Sequence, residues 1–169
     1  EAAVEAQPIT SLLFSIQEDG EAATASDCSS IYHPEELTTP EMVSMVHIDM
    51  GEDGAGGPVQ ATTVMAGGTT MYASQDNIYM AHGSNNWWWG WGDMNMTTRI
   101  HRFELQAGGT DYTSTGEVPG WLHNQFSMSE HEGRLRVATT LQDWWWGSDS
   151  ADSNAGNNVY ILEDGQGQM

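Results

Sequence analysis

Seven of the eight tryptophans fall in two runs, Trp87-Trp88-Trp89 with Trp91, and Trp144-Trp145-Trp146. Indole offers a large, rigid surface with a polar edge, suited to stacking on sugar rings or anchoring a protein partner. On an extended backbone successive side chains point to opposite sides, so three in a row cannot all enter one core. These seven residues are the expected ligand- or partner-binding surface. The competing role is as apolar plugs between packed sheets.

Three other constellations could carry chemistry. Met80 stands two residues before His82, and Met94 two before Met96, as Met45 stands before His47. Residues i and i+2 share one face of a strand, so Met80, His82, Met94 and Met96 form a soft donor set suited to copper. Methionine also fills cores as an adaptable apolar residue, which is the competing role. Asp149, Asp152, Asn154 and Asn158 make an oxygen-rich run suited to Ca²⁺. Its spacing resembles part of a calcium loop, with Glu163 at the twelfth position but no glycine at the sixth; a polar surface turn explains it equally simply. Ser127, Ser129, Glu130 and His131 hold the residue types of a hydrolytic triad. On one strand, however, Ser129 and His131 share a face and Glu130 points away, whereas a triad converges from separate elements. A structural hydrogen-bond network between strands is expected there, and no catalytic residue is assigned.

The elements that position these residues form a repeat. The tryptophan runs are in register (144 − 87 = 57), a period in the range of propeller blades. Met71–Ser74 with Ile78–Ala81 reads as one hairpin, and Phe126–Ser129 with Leu135–Ala138 as its counterpart. Glu132-Gly133 supplies the left-handed backbone that a tight hairpin turn favours. Val46–Met50, Arg99–Leu105 and Val159–Glu163 read as one strand in three units. Short alternating strands with Gly/Asn/Asp/Ser punctuation argue an all-β chain. The expected architecture is antiparallel four-stranded blades of a β-propeller, incomplete here: about two full blades plus flanking strands. Residues 1–41 form an N-terminal strand, an acidic loop (Glu18–Asp27) and an entry segment. Blades follow over 42–169, at about 42–82 and 97–140, the next beginning at 157. The 97–140 blade takes strands near 98–106, 110–116, 125–130 and 134–140. The tryptophan runs then occupy loops between blades, and the absent blades or another chain must cover what is left open.

Charge narrows the function. Twenty-four Asp and Glu face four Arg and no Lys, a balance that repels phosphate backbones and anionic membranes and argues against nucleic-acid binding. The arginines Arg99, Arg102, Arg134 and Arg136 are expected to pair with carboxylates. No apolar run is long enough for a membrane span. The sequence begins without methionine or a signal-type segment and reads as an internal piece of a longer protein. The single cysteine, Cys28, is either a free thiol or half of a disulfide to a partner outside the segment. Asn95-Met96-Thr97 fits a glycosylation sequon.

Residues 124–140, Thr97–Phe103, Gly116–Gly120 and Asn158–Leu162, with Asp27–Pro34 and Tyr72–Ser74 upstream, together resemble the predicted secreted bacterial and archaeal β-propeller family, distantly related to WD-repeat propellers. The resemblance covers roughly residues 27–163. It implies a propeller fold and a secreted, extracellular, periplasmic or cell-surface location, and it carries no established chemistry. The expected function is a non-enzymatic extracellular binding or assembly propeller whose tryptophan loops touch a protein or carbohydrate ligand. Alternatives are a Ca²⁺- or copper-binding propeller and a propeller hydrolase. No cofactor is assigned beyond those metals.

Overall fold

A computed structural model describes residues 15–18, 21–24, 28–35, 39–48, 59–84, 96–141, 156–165 and 169. The chain divides into two compact units. One comprises residues 1–66 with 105–112, the other 67–104 with 113–169. Among the described residues the elements are strands and two short 3-10 turns, with no α-helix.

In the first unit β1 (Ser15–Glu18) pairs antiparallel with β2 (Glu21–Thr24). A 3-10 turn at Cys28–Ser30 leads into β3 (Ile31–Tyr32). β3 runs parallel to β5 (Gln60–Val64), and β4 (Val43–His47) pairs antiparallel with the same strand. Met45, Ala61, Thr63 and Val64 are buried. Ser44 and Thr63 sit opposite each other and share a 2.7 Å side-chain hydrogen bond, a cross-strand pair that fixes register.

The second unit holds two sheets. The first is a meander of β6 (Thr70–Ala73), β7 (Asn77–Ser84), β8 (Thr97–Gln106) and β9 (Gly109–Pro119). The ends of β8 and β9 about their shared turn belong to the first unit. The second sheet contains β10 (Trp121–Leu122), β11 (Met128–His131), β12 (Arg134–Leu141) and β13 (Gly156–Leu162), with β12 at its centre. Strict alternation along β12 sends Leu135, Val137 and Thr139 inward and Arg134, Arg136 and Ala138 outward. Leu135, Val137 and Met128 meet Tyr79, Ala81, Ile100 and Val118 of the first sheet in one apolar core.

Two turns depend on left-handed backbone. Glu132 (φ 51°) and Gly133 (φ 72°) close the β11–β12 hairpin, the paired positive φ of a two-residue hairpin turn. Gly120 (φ 91°) carries the chain from β9 to β10. A Cβ there would lie 2.8 Å from both Thr139 Oγ1 and the Thr140 carbonyl, so the chain can cross between sheets only as glycine.

The expected strands appear within a few residues, at 97–106, 109–119, 128–131 and 134–141, but they are grouped differently. Residues 97–140 do not form one blade. β8 and β9 join β6 and β7, while β11 and β12 join β13. The reason is pairing across the tryptophan segments: Ser84 opposes Thr97, and Leu141 opposes Gly156. Each segment therefore joins two strands of one sheet, not two blades. Two further boundaries move. Glu21–Thr24, within the expected acidic loop, is strand. Ile31–Tyr32, between the expected acidic loop and the entry segment, pairs with β5.

Candidate functional site

The densest polar cluster lies where the two sheets of the second unit meet. Glu130 projects inward from β11, and its Oε2 accepts hydrogen bonds from Ser74 Oγ (2.6 Å), Asn77 Nδ2 (3.0 Å) and Tyr79 OH (3.0 Å). Its Oε1 accepts from Asn77 Nδ2 at 3.0 Å, and its backbone N–H donates to Tyr72 OH at 3.0 Å. Ser74 Oγ also lies 3.2 Å from the Asn77 carbonyl. A hydroxyl has one proton, and the shorter, charge-assisted contact to Glu130 takes it. The other Ser74 lone pairs accept from the Asn77 and Asp76 backbone N–H groups, which shapes the β6–β7 turn.

The network continues outward. Arg102 Nε donates to Asn77 Oδ1 at 2.9 Å, which orients the carboxamide so that its NH₂ faces Glu130. Arg102 Nη1 reaches Asp164 at 3.0 Å. Burial works to raise the Glu130 pKa. The hydrogen bonds from Ser74, Asn77 and Tyr79, aided by the Arg102 charge, outweigh it and hold the group below its ordinary value. Tyr79 moves the other way: burial and the neighbouring carboxylate keep its phenol protonated well above the usual range. Glu130 is therefore a charged clasp between sheets. Ser129 and His131 on the same strand are exposed on its other side, so the three triad residue types do not converge.

The 57-residue repeat identifies a second copy of this interface. Tyr79 and Ala81 of β7 correspond to Arg136 and Ala138 of β12 (136 − 79 = 57). On the neighbouring strands the offset is two longer (159 − 100 = 59), so Ile100 and Arg102 correspond to Val159 and Ile161. Registers agree: Ala81 opposes Ile100 and Tyr79 opposes Arg102, as Ala138 opposes Val159 and Arg136 opposes Ile161. The first set is covered by the second sheet. The second set is open, with Val159 70% and Ile161 65% exposed. Where Ser74, Asn77 and Tyr79 hold Glu130, the open face presents His131, Arg134 and Arg136. Arg134 is tied to Glu163 at 3.2 Å, Arg99 to Glu117 and Arg102 to Asp164. Among the described residues Arg136 makes no ion pair.

The residues expected to bind fare unevenly. Trp87, Trp88, Trp89, Trp91, Trp144, Trp145 and Trp146 lie outside the described residues, as do Met94, Asp149, Asp152, Asn154 and the sequon's Asn95. The flanking strand ends, Ser84 with Thr97 and Leu141 with Gly156, are equivalent in the two sheets. Of the copper set, Met80 and His82 are buried on one face of β7. The His82 ring stacks on His101 with centroids 5.6 Å apart and planes 8° from parallel. Parallel stacking directs the ring nitrogens along parallel planes and not to one point, the opposite of chelation. Met96 lies half-buried before β8, its carbonyl accepting from Gly120 N–H at 2.6 Å. Asn158, from the calcium set, is half-buried on β13. Among the described residues no group of three or more His, Cys, Asp or Glu is placed to hold a metal ion. Cys28 is an exposed free thiol. His101 was not singled out in the sequence. Burial first, then His82 and Arg99, bring its pKa down to about 4.

Comparison with known proteins places the chain. The family described as a beta propeller domain matches residues 1–169. An uncharacterized protein of the archaeon Methanocaldococcus jannaschii is 45% identical over 49 residues, which cover 29% of this chain and 7% of that protein. The chain thus matches a small fraction of that relative's length. No solved structure matches. With four-stranded antiparallel sheets packed face to face and a match over its full length, the chain belongs to the beta propeller domain family.

Proposed function

We propose that this chain acts by binding and assembly, not catalysis, as part of a secreted propeller that docks a further β-sheet on the outer face of β12 and β13. The observation that carries the proposal is the open face of Ala138, Val159 and Ile161, whose repeat equivalents are buried in the core or at its edge against a neighbouring sheet. Covering Val159 and Ile161 contributes roughly 1–2 kcal/mol each. The cations Arg134 and Arg136, with the His131 imidazole beside them, stand where the covered face has neutral donors for a carboxylate. They suit an acidic partner strand, and the partner is a remaining blade of the same protein or of another chain.

The tryptophan hairpin loops supply the second contact surface in this proposal, for a protein or carbohydrate ligand. Their flanking strand ends are equivalent in successive sheets, which favours presentation on one side. Single changes Trp88→Ala and Trp145→Ala test this. A contact residue loses binding on the order of 2 kcal/mol with little change in stability. A plug loses roughly 3–5 kcal/mol of folding stability instead, and that outcome for both residues would remove the loops from the proposal.

A further inference from the structure

A cavity of about 560 Å³ lies in the first unit, between the Cys28–Ser30 turn with β3, the start of β5, and the β8–β9 turn. That volume is within the range of small-molecule sites, about 300–1,000 Å³. The polar residues of its lining include Tyr32, Thr62, Thr110, Gln60, Gln106 and Asp111. Among the described lining residues none is Lys, Arg or His. Tyr32 is backed by Tyr112, ring centroids 5.1 Å apart.

The walls are fitted to each other. Thr62 Oγ1 donates to the Thr110 carbonyl, tying β5 to the β8–β9 turn region. Gly109 is buried, and a Cβ there would meet Gln60 Oε1 at 2.9 Å. Glycine thus lets the Gln60 carboxamide lie against the β9 backbone. Thr110 is only 8% exposed, and its own hydroxyl is buried without a hydrogen-bond partner. Such a group is uncommon in a folded protein and calls for a partner.

We propose that this cavity binds a neutral saccharide. Hydroxyls and carboxamides both donate and accept, as sugar hydroxyls do; Thr62, whose proton goes to the Thr110 carbonyl, is left as an acceptor. An aromatic side chain in the wall gives the apolar face of a sugar ring a surface to cover. The lone carboxylate in a chain of net charge −20 repels phosphorylated and acidic sugars. The site lies in the unit that does not carry the β12–β13 face, and it stands or falls independently of the assembly proposal.

The test is a titration of the 169-residue chain, followed by backbone amide NMR, with glucose, N-acetylglucosamine and cellobiose. Glucose 6-phosphate is the anionic arm. The expected result is saturable, millimolar shifts of the Gly108 and Gly109 amides with at least one neutral sugar, and about tenfold weaker binding of glucose 6-phosphate. Gln106→Ala, at an exposed position, should weaken neutral-sugar binding while the melting temperature stays unchanged. Asp111→Asn should narrow the gap between glucose and its phosphate. The proposal is overturned if no neutral sugar saturates, if glucose 6-phosphate binds as well as the neutral sugars, or if Gln106→Ala leaves affinity intact.

Discussion

Glu130 shows why a residue's type is a poor guide to its role. Its place between Ser129 and His131 offers the residue types of a triad, but alternation along β11 favours the expected structural network and turns it inward to meet Ser74, Asn77 and Tyr79. The alternation was legible in the sequence; the partners, more than 50 residues away, were not. Glu130→Ala leaves those three donors without their acceptor and should cost about 1–3 kcal/mol of unfolding free energy, measured by denaturant titration. Tyr79→Phe should cost less, because one donor is removed and the carboxylate keeps two. Linkage sets the acid response. The Glu130 pKa is depressed in the folded state, so its stabilisation is present above the ordinary carboxylate range and is lost as pH falls through the folded value. His101 acts at higher pH. Its folded pKa is lowered to about 4, so the unfolded chain binds the proton more tightly. Stability should be full above about pH 6.5 and decline toward pH 4, by on the order of 3 kcal/mol in all. His101→Gln should flatten that limb in a melting series across pH. An unchanged slope would show that another group titrates there.

At the scale of elements, strands were easier to read than their grouping. Alternation in Leu135-Arg136-Val137-Ala138 and the Glu132-Gly133 turn locate the β11–β12 hairpin directly. The same logic gives a prediction: Glu132 holds φ 51° without being glycine, a conformation that asparagine adopts more readily. Glu132→Asn should therefore raise stability by about 0.5–1 kcal/mol in thermal or chemical unfolding. What the sequence concealed was pairing across long insertions. Twelve residues lie between Ser84 and Thr97, too many for an ordinary hairpin, so the segment reads as a connection between blades. Backbone pairing of Ser84 with Thr97 overrides that inference. Glu21–Thr24 was hidden for a different reason: Glu-Ala-Ala-Thr has weak strand propensity, and its ladder with Ser15–Glu18 is a backbone effect. Asp19-Gly20, a common hairpin dipeptide, was the signal that could have located it.

At the scale of the whole molecule, charge and open surface dominate. Twenty-four acidic residues against four arginines repel one another, and salt screens that repulsion over about 8–10 Å near physiological ionic strength. The unfolding midpoint should rise with NaCl from low to molar concentration; a flat or falling midpoint would mean that the acidic groups are locally compensated. The central claim is that the β12–β13 face is built to be covered. Sedimentation velocity across a concentration series, at a salt level that screens the net charge, tests it most directly on the chain and on the double variant Val159→Thr, Ile161→Thr. The account predicts concentration-dependent association of the parent chain and its suppression in the variant, whose changes lie outside the core. A parent chain that stays monomeric at every concentration, and sediments identically to the variant, would contradict it.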